Sequence, residues 1–200
     1  MGGVTPALKL YLDPGTSSMA PHIALREIGV AFEIAPLSLA RRENREPAFL
    51  AINPEGKVPT LLIDGRALTE VAGILFYLAR RFPEAGLLPA PDAEAEARVV
   101  SWMSFLASSV HPARARGMEK ALAVWALVEG RMAGRDWAVG ERMSIADILL
   151  FRLYWRLRQG AEEACAEFRT VEAHYARMLA RPAVARTIEV EAGIGYGLPA

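Results

Sequence analysis

Cysteine and histidine are scarce in this chain, and their scarcity removes several functional classes. Among 200 residues, Cys165 is the only cysteine, and His22, His111 and His174 are the only histidines. A single cysteine excludes an intrachain disulfide and a Cys-x-x-Cys redox pair, and no Cys/His cluster has the spacing of a zinc site. We therefore expect a reduced protein that uses no metal.

The chain also lacks an excess of charge and any targeting signal. Its 23 basic residues balance 23 acidic ones, so there is no electrostatic reason to expect nucleic acid or an anionic membrane as a partner. The first residues lack the basic start and apolar run of a signal peptide. The longest apolar run, at 145–151, is interrupted by Asp147 and is far too short to span a bilayer. We expect a soluble, cytoplasmic protein with no membrane anchor.

What the chain does have is apolar material, 52% of its residues, which is ample for a buried core and excludes wholesale disorder. The first part alternates strand and helix signals. Leu8–Leu12 predicts a strand, and Ser17 and Ser18 then offer N-cap hydroxyls to a helix. Further signals predict strands at 30–37, 58–63 and 66–68, a short helix at 47–51, and a helix that Thr69 caps. The order is βαβαββα, with a parallel first pair and a hairpin around Asp64-Gly65.

After Phe82 the pattern changes to helices alone. The stretch 83–91, with three prolines and a glycine, is typical of a linker. Helical patterns follow near 92–116, 118–133, 144–158, 161–180 and 182–190. Ser144 and Asp147 have the spacing of a capping box at one helix start. The sequence thus predicts an α/β domain at 1–83, a linker at 84–91 and an all-helical bundle at 92–200.

Two predicted turns carry residues suited to a binding site, and each also has a structural explanation. A hydroxyl of Ser17 or Ser18 could donate to a thiolate or carboxylate where the helix dipole favours an anion, or it could simply cap the helix. A cis bond between Val58 and Pro59 would expose the Val58 backbone to a ligand. A trans bond is the commoner alternative.

Three titratable residues lie elsewhere on the predicted helices. Glu70 could receive a ligand ammonium while the N–H of Val71 holds a carboxylate, or it could be a favourable charge at a helix start. His22 is expected to be buried and hydrogen-bonded, in a structural role. His174 lies in a polar stretch, and we expect it to be exposed to solvent.

A further candidate is a stripe of small polar residues. Ser101, Ser104, Ser108 and His111 fall on one side of a predicted helix, opposite its apolar residues. The stripe could line a cleft that ends in a histidine, or it could permit close helix packing. Pro112 removes a backbone donor and predicts a kink beside His111.

Taken together, these motifs resemble those of the glutathione S-transferases, and within that family the bacterial beta-type class. The landmarks are Leu10-Tyr11, Asp13-Pro14-Gly15-Thr16-Ser17-Ser18, Pro21 to Glu27, Asn53 to Pro59, Leu68-Thr69-Glu70, Trp102 to His111 and Gly140 to Asp147. The resemblance covers most of the chain. It implies a thioredoxin-like domain joined to an all-helical one, usually in a homodimer.

The resemblance also implies residue roles. Val58 precedes the family's cis-proline, Pro59, and its backbone pairs with the cysteinyl part of glutathione. Glu70 holds the γ-glutamyl end, and Arg41 or Arg42 lies near the glycyl carboxylate. The implied catalytic residues are Ser17 and His111, and the implied glutathione-binding residues are Ser17, Arg42, Lys57, Val58, Pro59, Glu70, Val71, Ser104 and Ser108. Which of the two neighbouring serines faces the sulfur stays open.

Three positions depart from the beta-type pattern. The class usually has a cysteine where this chain has Ser17, a tyrosine where it has Leu12, and a serine where it has Val71. Without a second thiol, a mixed disulfide with glutathione cannot form at the turn. One hydroxyl contact to glutathione is also missing, although the backbone donor of Val71 remains.

The function that follows is a glutathione transferase, with glutathione as substrate and no metal. It activates the glutathione thiol for attack on a small electrophile, which is expected near Met103, His111 and the Arg114/Arg116 region. Glutathione-dependent isomerisation, dehalogenation or peroxide reduction are alternatives within enzymes. A non-catalytic glutathione-binding or interaction protein of the same fold is the alternative outside them.

Overall fold

The computed structural model describes residues 5–89 and 92–195, and their contacts divide into two compact units. The first unit comprises the described residues up to Leu78 together with those from Arg186 onward, and the second runs from Ala79 to Ala185. This division differs from the predicted bounds of 1–83 and 92–200, which stay a prediction. Ala90 and Pro91 of the predicted linker lie outside the described residues. No helix in the described ranges has the length and apolar character that crossing a membrane requires.

The first unit is built on a small mixed sheet. Its elements are β1 (Leu8–Leu12), α1 (Met19–Ile28), β2 (Glu33–Pro36), α2 (Pro47–Leu50), β3 (Thr60–Ile63), β4 (Arg66–Thr69) and α3 (Val71–Arg81), whose last turn belongs to the second unit. The strand order is β2-β1-β3-β4. β1 and β2 are parallel, and the other neighbours are antiparallel. The predicted βαβαββα order and parallel first pair are confirmed, in the thioredoxin-like arrangement that the resemblance implies.

The alternating burial of side chains along β1 explains how this sheet packs against its helices. Leu8, Leu10 and Leu12 are buried, because side chains two apart on a strand share one face. α1 and α3 cover the sheet with buried apolar stripes. These stripes include Ile23, Ala24 and Leu25 on α1 and Ile74, Leu75 and Leu78 on α3. Burial of each large aliphatic side chain contributes about 1.5–3 kcal/mol.

The strand register brings four chain segments to one edge of the sheet. Leu12 at the end of β1 pairs with Pro36 at the end of β2. Next to it, Tyr11 pairs with the first residue of β3, Thr60, which in turn pairs with the last residue of β4, Thr69. The turns after β1 and β4 and the loop before β3 therefore meet at the same edge.

Several predicted boundaries were wrong by one to three residues. β2 spans Glu33–Pro36 rather than 30–37, and two other shifts have local reasons. β3 begins at Thr60 rather than at residue 58, because Pro59 has no N–H to donate to the ladder. α3 begins at Val71, not next to Thr69. Glu70 lies before it with φ of 65°, and its carbonyl accepts the first helical hydrogen bond, from Ile74 N–H at 3.0 Å.

The second unit is helical throughout its described residues. Its elements include α4 (Ala93–Phe105), a π-helical segment (Leu106–Val110), the short α5 (His111–Ala113), α6 (Met118–Met132), α7 (Ile145–Cys165), α8 (Arg169–Leu179) and α9 (Pro182–Gly193). The part of α9 from Arg186 joins the first unit. The predicted break near residue 160 is only a kink within α7, where Ala161 leaves helical geometry. The predicted continuous helix at 161–180 was wrong, because α7 extends to Cys165 and α8 begins at Arg169. Instead of a simple kink at Pro112, the helix widens into the π segment just before it. Pro112 cannot donate to Ser108, and the N–H of His111 instead bonds to the carbonyl of Leu106.

The predicted capping box at the start of α7 is confirmed, and it explains why the expectation for His174 was wrong. Asp147 Oδ2 accepts from the N–H and hydroxyl of Ser144 at 2.8 and 2.9 Å, and Oδ1 accepts from the N–H of Ala138 at 2.7 Å. His174 Nε2 lies 3.0 Å from the same Oδ1. His174 is 1% exposed, not solvent-facing, because this carboxylate supplies the partner that a buried imidazole needs.

Removing the Asp147 carboxylate is predicted to destabilise the protein strongly. Asp147→Ala leaves four buried donors without an acceptor, on Ala138, Ser144 (two) and His174, so we expect a loss of about 3–5 kcal/mol in the free energy of unfolding. Urea unfolding followed by tryptophan fluorescence measures it. The matched control is Asp136→Ala, which removes an exposed partner of Arg177 and should cost less than about 1 kcal/mol. Equal midpoints for the two variants would contradict the structural role of Asp147.

Candidate functional site

The turn after β1 separates the roles of its two serines. Ser18 is fully buried, and its Oγ donates to the carbonyl of Asp13 at 3.0 Å while accepting from the N–H of Asp13 at 3.2 Å. Thr16 Oγ1 lies 2.7 Å from the same hydroxyl. Ser18 occupies the N-cap position of α1, but its side chain makes no cap hydrogen bond. Its hydroxyl is committed to the turn itself.

Ser17 differs from Ser18 in its burial and in its hydrogen bonding. It is half-buried, and within residues 5–89 and 92–195 its hydroxyl has no hydrogen-bond partner. α1 begins two residues later, at Met19, so the positive end of the helix dipole lies close by. Ser17 is therefore the serine whose hydroxyl can serve a ligand.

A carboxylate from the last helix holds this turn in place. Glu191 on α9 is 1% exposed, and its Oε2 accepts from the N–H of Gly15 at 2.8 Å, while Oε1 lies 2.9 Å from Nδ1 of His22. Arg26 Nε donates to Nε2 of His22 at 3.1 Å, so Nδ1 carries the ring proton and donates to Glu191. The expected buried, structural role of His22 is confirmed. Gly15 has φ of 70°, a conformation that glycine adopts without strain.

The surroundings of Glu191 shift the pKa of two neighbours. Burial raises the pKa of Asp13 above its usual value, an effect that a hydrogen bond from the Leu39 backbone opposes and the charges of Glu191 and Glu43 reinforce. Burial also lowers the pKa of Arg26, as does the charge of Arg186. Both shifts follow from concentrating charged groups in a partly dehydrated region.

Glu191 was missed in the sequence, although a signal was present. Val184, Thr187 and Glu191 are buried in α9 and are spaced three and four residues apart, the spacing of one helix face. A glutamate on such a face must find a buried partner. His22 is the partner, but its position 169 residues earlier is not readable from local pattern.

The loop before β3 presents Val58 at the same sheet edge. The Val58–Pro59 bond is cis, as the resemblance implied. Asn53 Nδ2 donates to the carbonyl of Lys57 at 3.0 Å and to Thr60 Oγ1 at 3.0 Å, and Thr60 Oγ1 donates to the Lys57 carbonyl at 2.9 Å. These bonds fix the loop on both sides of Val58.

Gly56 shows how closely this loop approaches the segment that carries Arg42. Asn44 Nδ2 donates to the carbonyl of Gly56 at 2.6 Å. A Cβ at Gly56 would lie 2.8 Å from the backbone oxygen of Asn44 and 2.8 Å from Nη1 of Arg45, and φ is 63°. Only glycine fits this contact without rearrangement.

The charged candidates of the first unit, Arg42, Lys57 and Glu70, are exposed, whereas Val71 is half-buried. Glu70 and Arg42 have left-handed backbone angles, with φ of 65° and 59°, and both side chains face solvent. Val71 follows Glu70 as the first residue of α3, where N–H groups lack intrahelical acceptors. Lys57 Nζ lies 2.8 Å from Glu55 Oε2, and this hydrogen bond and charge raise the pKa of Lys57.

The candidates of the second unit lie on one exposed side of a helix. Ser104, Ser108 and His111 are exposed, whereas the apolar residues opposite them are buried, namely Val99, Trp102, Met103, Leu106 and Val110. The predicted division of the two faces is confirmed. Cys165 is fully buried, and burial raises the pKa of its thiol, which makes it a poor nucleophile. Among the described residues, no group of three or more His, Cys, Asp or Glu side chains could hold a metal ion.

A thioredoxin-like unit with a cis-proline loop, followed by a helical unit, is the combination that the sequence resemblance predicts. Comparison with known proteins supports the same class. The family model described as "Glutathione S-transferase, N-terminal domain" matches residues 6–80, and the model of the C-terminal domain matches residues 92–182. The chain belongs to the glutathione S-transferase family.

Relatives of similar length are bacterial enzymes. Glutathione S-transferase GST-4.5 of Xanthomonas campestris is 31% identical over 92% of this chain and 98% of the relative. Glutathione S-transferase GstA of Escherichia coli O157:H7 is 30% identical over the same shares. A maleylacetoacetate isomerase of Pseudomonas aeruginosa is 30% identical over 88% of this chain and 100% of the isomerase.

Solved structures give the same result. A glutathione transferase homolog from Sulfitobacter with bound glutathione superposes with a TM-score of 0.84 at 31% identity, covering 92% of this chain and 98% of the other. A sphingomonad glutathione S-transferase complexed with glutathione has a TM-score of 0.82 at 35% identity, with the same coverage.

Loss of the Glu191 carboxylate is predicted to weaken both the fold and the serine turn. Glu191→Ala leaves the N–H of Gly15 and Nδ1 of His22 without their acceptor, so the free energy of unfolding should fall by about 3–5 kcal/mol. Urea unfolding gives the midpoint. Glu189→Ala is the matched control on the same helix, since it removes only an exposed partner of Arg186. If both variants unfold like the parent, the buried carboxylate does not hold the turn.

Proposed function

We propose that this chain is a glutathione transferase that ionises the thiol of glutathione beside Ser17 and directs it at a small electrophile. The proposal is carried by one observation: at the start of α1, Ser18 is locked into the turn while the Ser17 hydroxyl is left for a ligand. The family membership and the relatives solved with glutathione support it.

The chemistry requires a thiolate near neutral pH. A cysteine thiol has an unperturbed pKa of about 8.5, and each unit of lowering corresponds to about 1.4 kcal/mol of preferential thiolate stabilisation. In the proposal the Ser17 hydroxyl donates a hydrogen bond to the sulfur, and the dipole of α1 adds to its effect. The sulfur then forms a bond to the electrophilic carbon, and the leaving group departs with its bonding pair.

The sheet edge supplies the proposed contacts to the peptide. The Val58 backbone, beside Pro59, pairs with the cysteinyl part of glutathione. Glu70 receives the γ-glutamyl ammonium, and the N–H of Val71 holds the neighbouring carboxylate. In support of these assignments, the register brings the loop before β3 and the turn after β4 to the edge where the serine turn begins.

We assign the remaining charged and polar candidates as follows. Arg42 and Lys57 provide positive charge for the glycyl carboxylate, and both are exposed in the first unit. Ser104 and Ser108 of the second unit contribute hydroxyls to glutathione, and His111 polarises the sulfur or the electrophile. A homodimer, typical of the family, and a cytoplasmic location belong to the same proposal.

A second candidate reaction is glutathione-dependent isomerisation. The observation that favours it is the maleylacetoacetate isomerase of Pseudomonas aeruginosa, 30% identical over 88% of this chain. Both reactions begin with the glutathione thiolate, so they make the same demand on Ser17. An assay that separates a glutathione adduct from an isomerised product distinguishes them.

Replacing each serine in turn should separate catalysis from folding. Ser17→Ala is expected to raise the apparent pKa of the conjugation rate by about one unit, because the thiolate loses a donor worth about 1.5 kcal/mol, with unchanged stability. Ser18→Ala should instead lower the urea midpoint, because the buried Asp13 backbone loses its partner. The pH profile of kcat/KM and the unfolding curve are measured for both variants. A normal pH profile in Ser17→Ala would remove Ser17 from the mechanism.

Replacing the Glu70 carboxylate should weaken glutathione binding without affecting folding. Glu70→Gln removes a charge-assisted bond to the ligand ammonium, which is worth about 1.5–3 kcal/mol, or at least a tenfold change in Kd. Calorimetry with reduced glutathione measures the change. Glu33→Gln is the control, since Glu33 is exposed on β2 beside Lys9. Equal affinity in the Glu70 variant and the parent would leave Glu70 as a helix-start charge only.

A further inference from the structure

Two buried polar side chains hold a single carbonyl of the loop before β3. Thr60 is fully buried and Asn53 is 3% exposed. Both donate to the carbonyl oxygen of Lys57, Asn53 through Nδ2 at 3.0 Å and Thr60 through Oγ1 at 2.9 Å. Nδ2 also donates to Oγ1 at 3.0 Å, and Oδ1 of Asn53 accepts from the N–H of Glu55 at 3.1 Å. We call Asn53 and Thr60 the carbonyl clamp.

The carbonyl clamp orients a whole peptide group. The carbonyl of Lys57 and the N–H of Val58 belong to the same planar unit. Among the described residues the cis bond is the one after Val58, so the peptide bond before Val58 is trans. In a trans peptide the N–H and the carbonyl point in opposite directions. Because the carbonyl points at the buried pair, the N–H of Val58 points away from it.

This orientation leaves the N–H of Val58 as a donor for a ligand. Within residues 5–89 and 92–195 it makes no hydrogen bond. Val58 is half-buried and Lys57 is exposed, so this part of the loop reaches the surface, at the sheet edge where the serine turn begins. A backbone donor in such a place bonds to water or to a ligand. The backbone acceptor in the cysteinyl part of glutathione is its carbonyl oxygen.

We infer that Asn53 and Thr60 are positioning residues of the proposed reaction, because they hold the Lys57 carbonyl so that the N–H of Val58 donates to the cysteinyl carbonyl of glutathione. The inference rests on the proposed function and adds to it two residues that act through the loop backbone. The contact is made to the amide of the peptide and not to the reacting sulfur, so it is equally strong before and during bond formation. An interaction of this kind changes KM and leaves kcat unaltered.

Single substitutions in the carbonyl clamp test the inference, because each leaves the other donor on the Lys57 carbonyl. Thr60→Val removes the hydroxyl from a side chain of the same shape, Thr60→Ser keeps it, and Asn53→Ala removes the amide. We expect Thr60→Val and Asn53→Ala to weaken glutathione binding about fivefold, the equivalent of roughly 1 kcal/mol for one hydrogen bond, and Thr60→Ser to stay within about twofold of the parent. Calorimetry with reduced glutathione measures each Kd.

Tyr154→Phe is the matched control in the second unit. It removes a buried hydroxyl that donates to the carbonyl of Cys165 at 3.0 Å, so urea unfolding should show a loss of stability similar to that of Thr60→Val. Its Kd for glutathione should equal that of the parent. If Tyr154→Phe weakens glutathione binding as much as Thr60→Val does, the loss of affinity follows from general destabilisation and the inference is wrong.

A shortened ligand shows whether the carbonyl clamp acts through the cysteinyl carbonyl. γ-Glutamylcysteamine keeps the γ-glutamyl group and the thiol but lacks that carbonyl. Thr60→Val should lower its affinity by less than about twofold, because the lost orientation of the Val58 N–H no longer matters to the ligand. In the parent, glutathione but not γ-glutamylcysteamine should slow hydrogen exchange of the Val58 amide, measured by NMR. Equal effects of the two ligands in either measurement would overturn the inference.

Kinetics separates the inference from the proposed function. With 1-chloro-2,4-dinitrobenzene, the carbon–sulfur bond forms as chloride leaves with its bonding pair. We expect Thr60→Val to raise KM for glutathione about fivefold, with kcat and the apparent pKa of the rate unchanged, in contrast to Ser17→Ala.

The two possible failures give different results. A parent that binds no glutathione overturns the proposed function and the inference together. A parent that binds glutathione, with Kd and KM unaltered in Thr60→Val and Asn53→Ala, overturns the inference alone. Urea unfolding identifies a misfolded variant, and the other variant and the Val58 amide of the parent then decide.

Discussion

The carboxylate of Glu191 accepts the N–H of Gly15 and binds His22 inside the first unit, and the serine turn depends on this contact. A buried charge is costly unless it is paired and hydrogen-bonded, and Arg26 completes the pairing through the imidazole. Displacing the turn would remove the Gly15 N–H from this buried carboxylate. That constraint holds Ser17 next to the start of α1, where its hydroxyl lies close to the positive end of the helix dipole.

The two neighbouring serines differ in their roles because Ser18 is fully buried and Ser17 is only half-buried. The hydroxyl of Ser18 is hydrogen-bonded to the backbone of Asp13, whereas the hydroxyl of Ser17 has no hydrogen-bond partner among the described residues. In the helical unit, the buried carboxylate of Asp147 has a similar role. It accepts hydrogen bonds from Ser144, Ala138 and His174. In both units, one buried acid joins segments that are distant in sequence.

Local patterns predicted the βαβαββα order of elements, the hairpin, most helices and the capping box, because these depend on residue spacing within a few turns. They failed for His174 and Glu191, whose burial depends on partners 27 and 169 residues away. The candidate site at the sheet edge could be predicted only through family motifs, since each motif also had a structural explanation.

The central claim is that the serine turn stabilises a thiolate, and proton release on binding tests it most directly. Calorimetric titration with glutathione at pH 7, in two buffers of different ionisation enthalpy, gives the number of protons released. S-methylglutathione, which has no ionisable thiol, provides the reference. The account predicts release of a substantial fraction of a proton with glutathione and none with the S-methyl form. Tight binding of both ligands with no difference in proton release would show that the site binds glutathione without activating it.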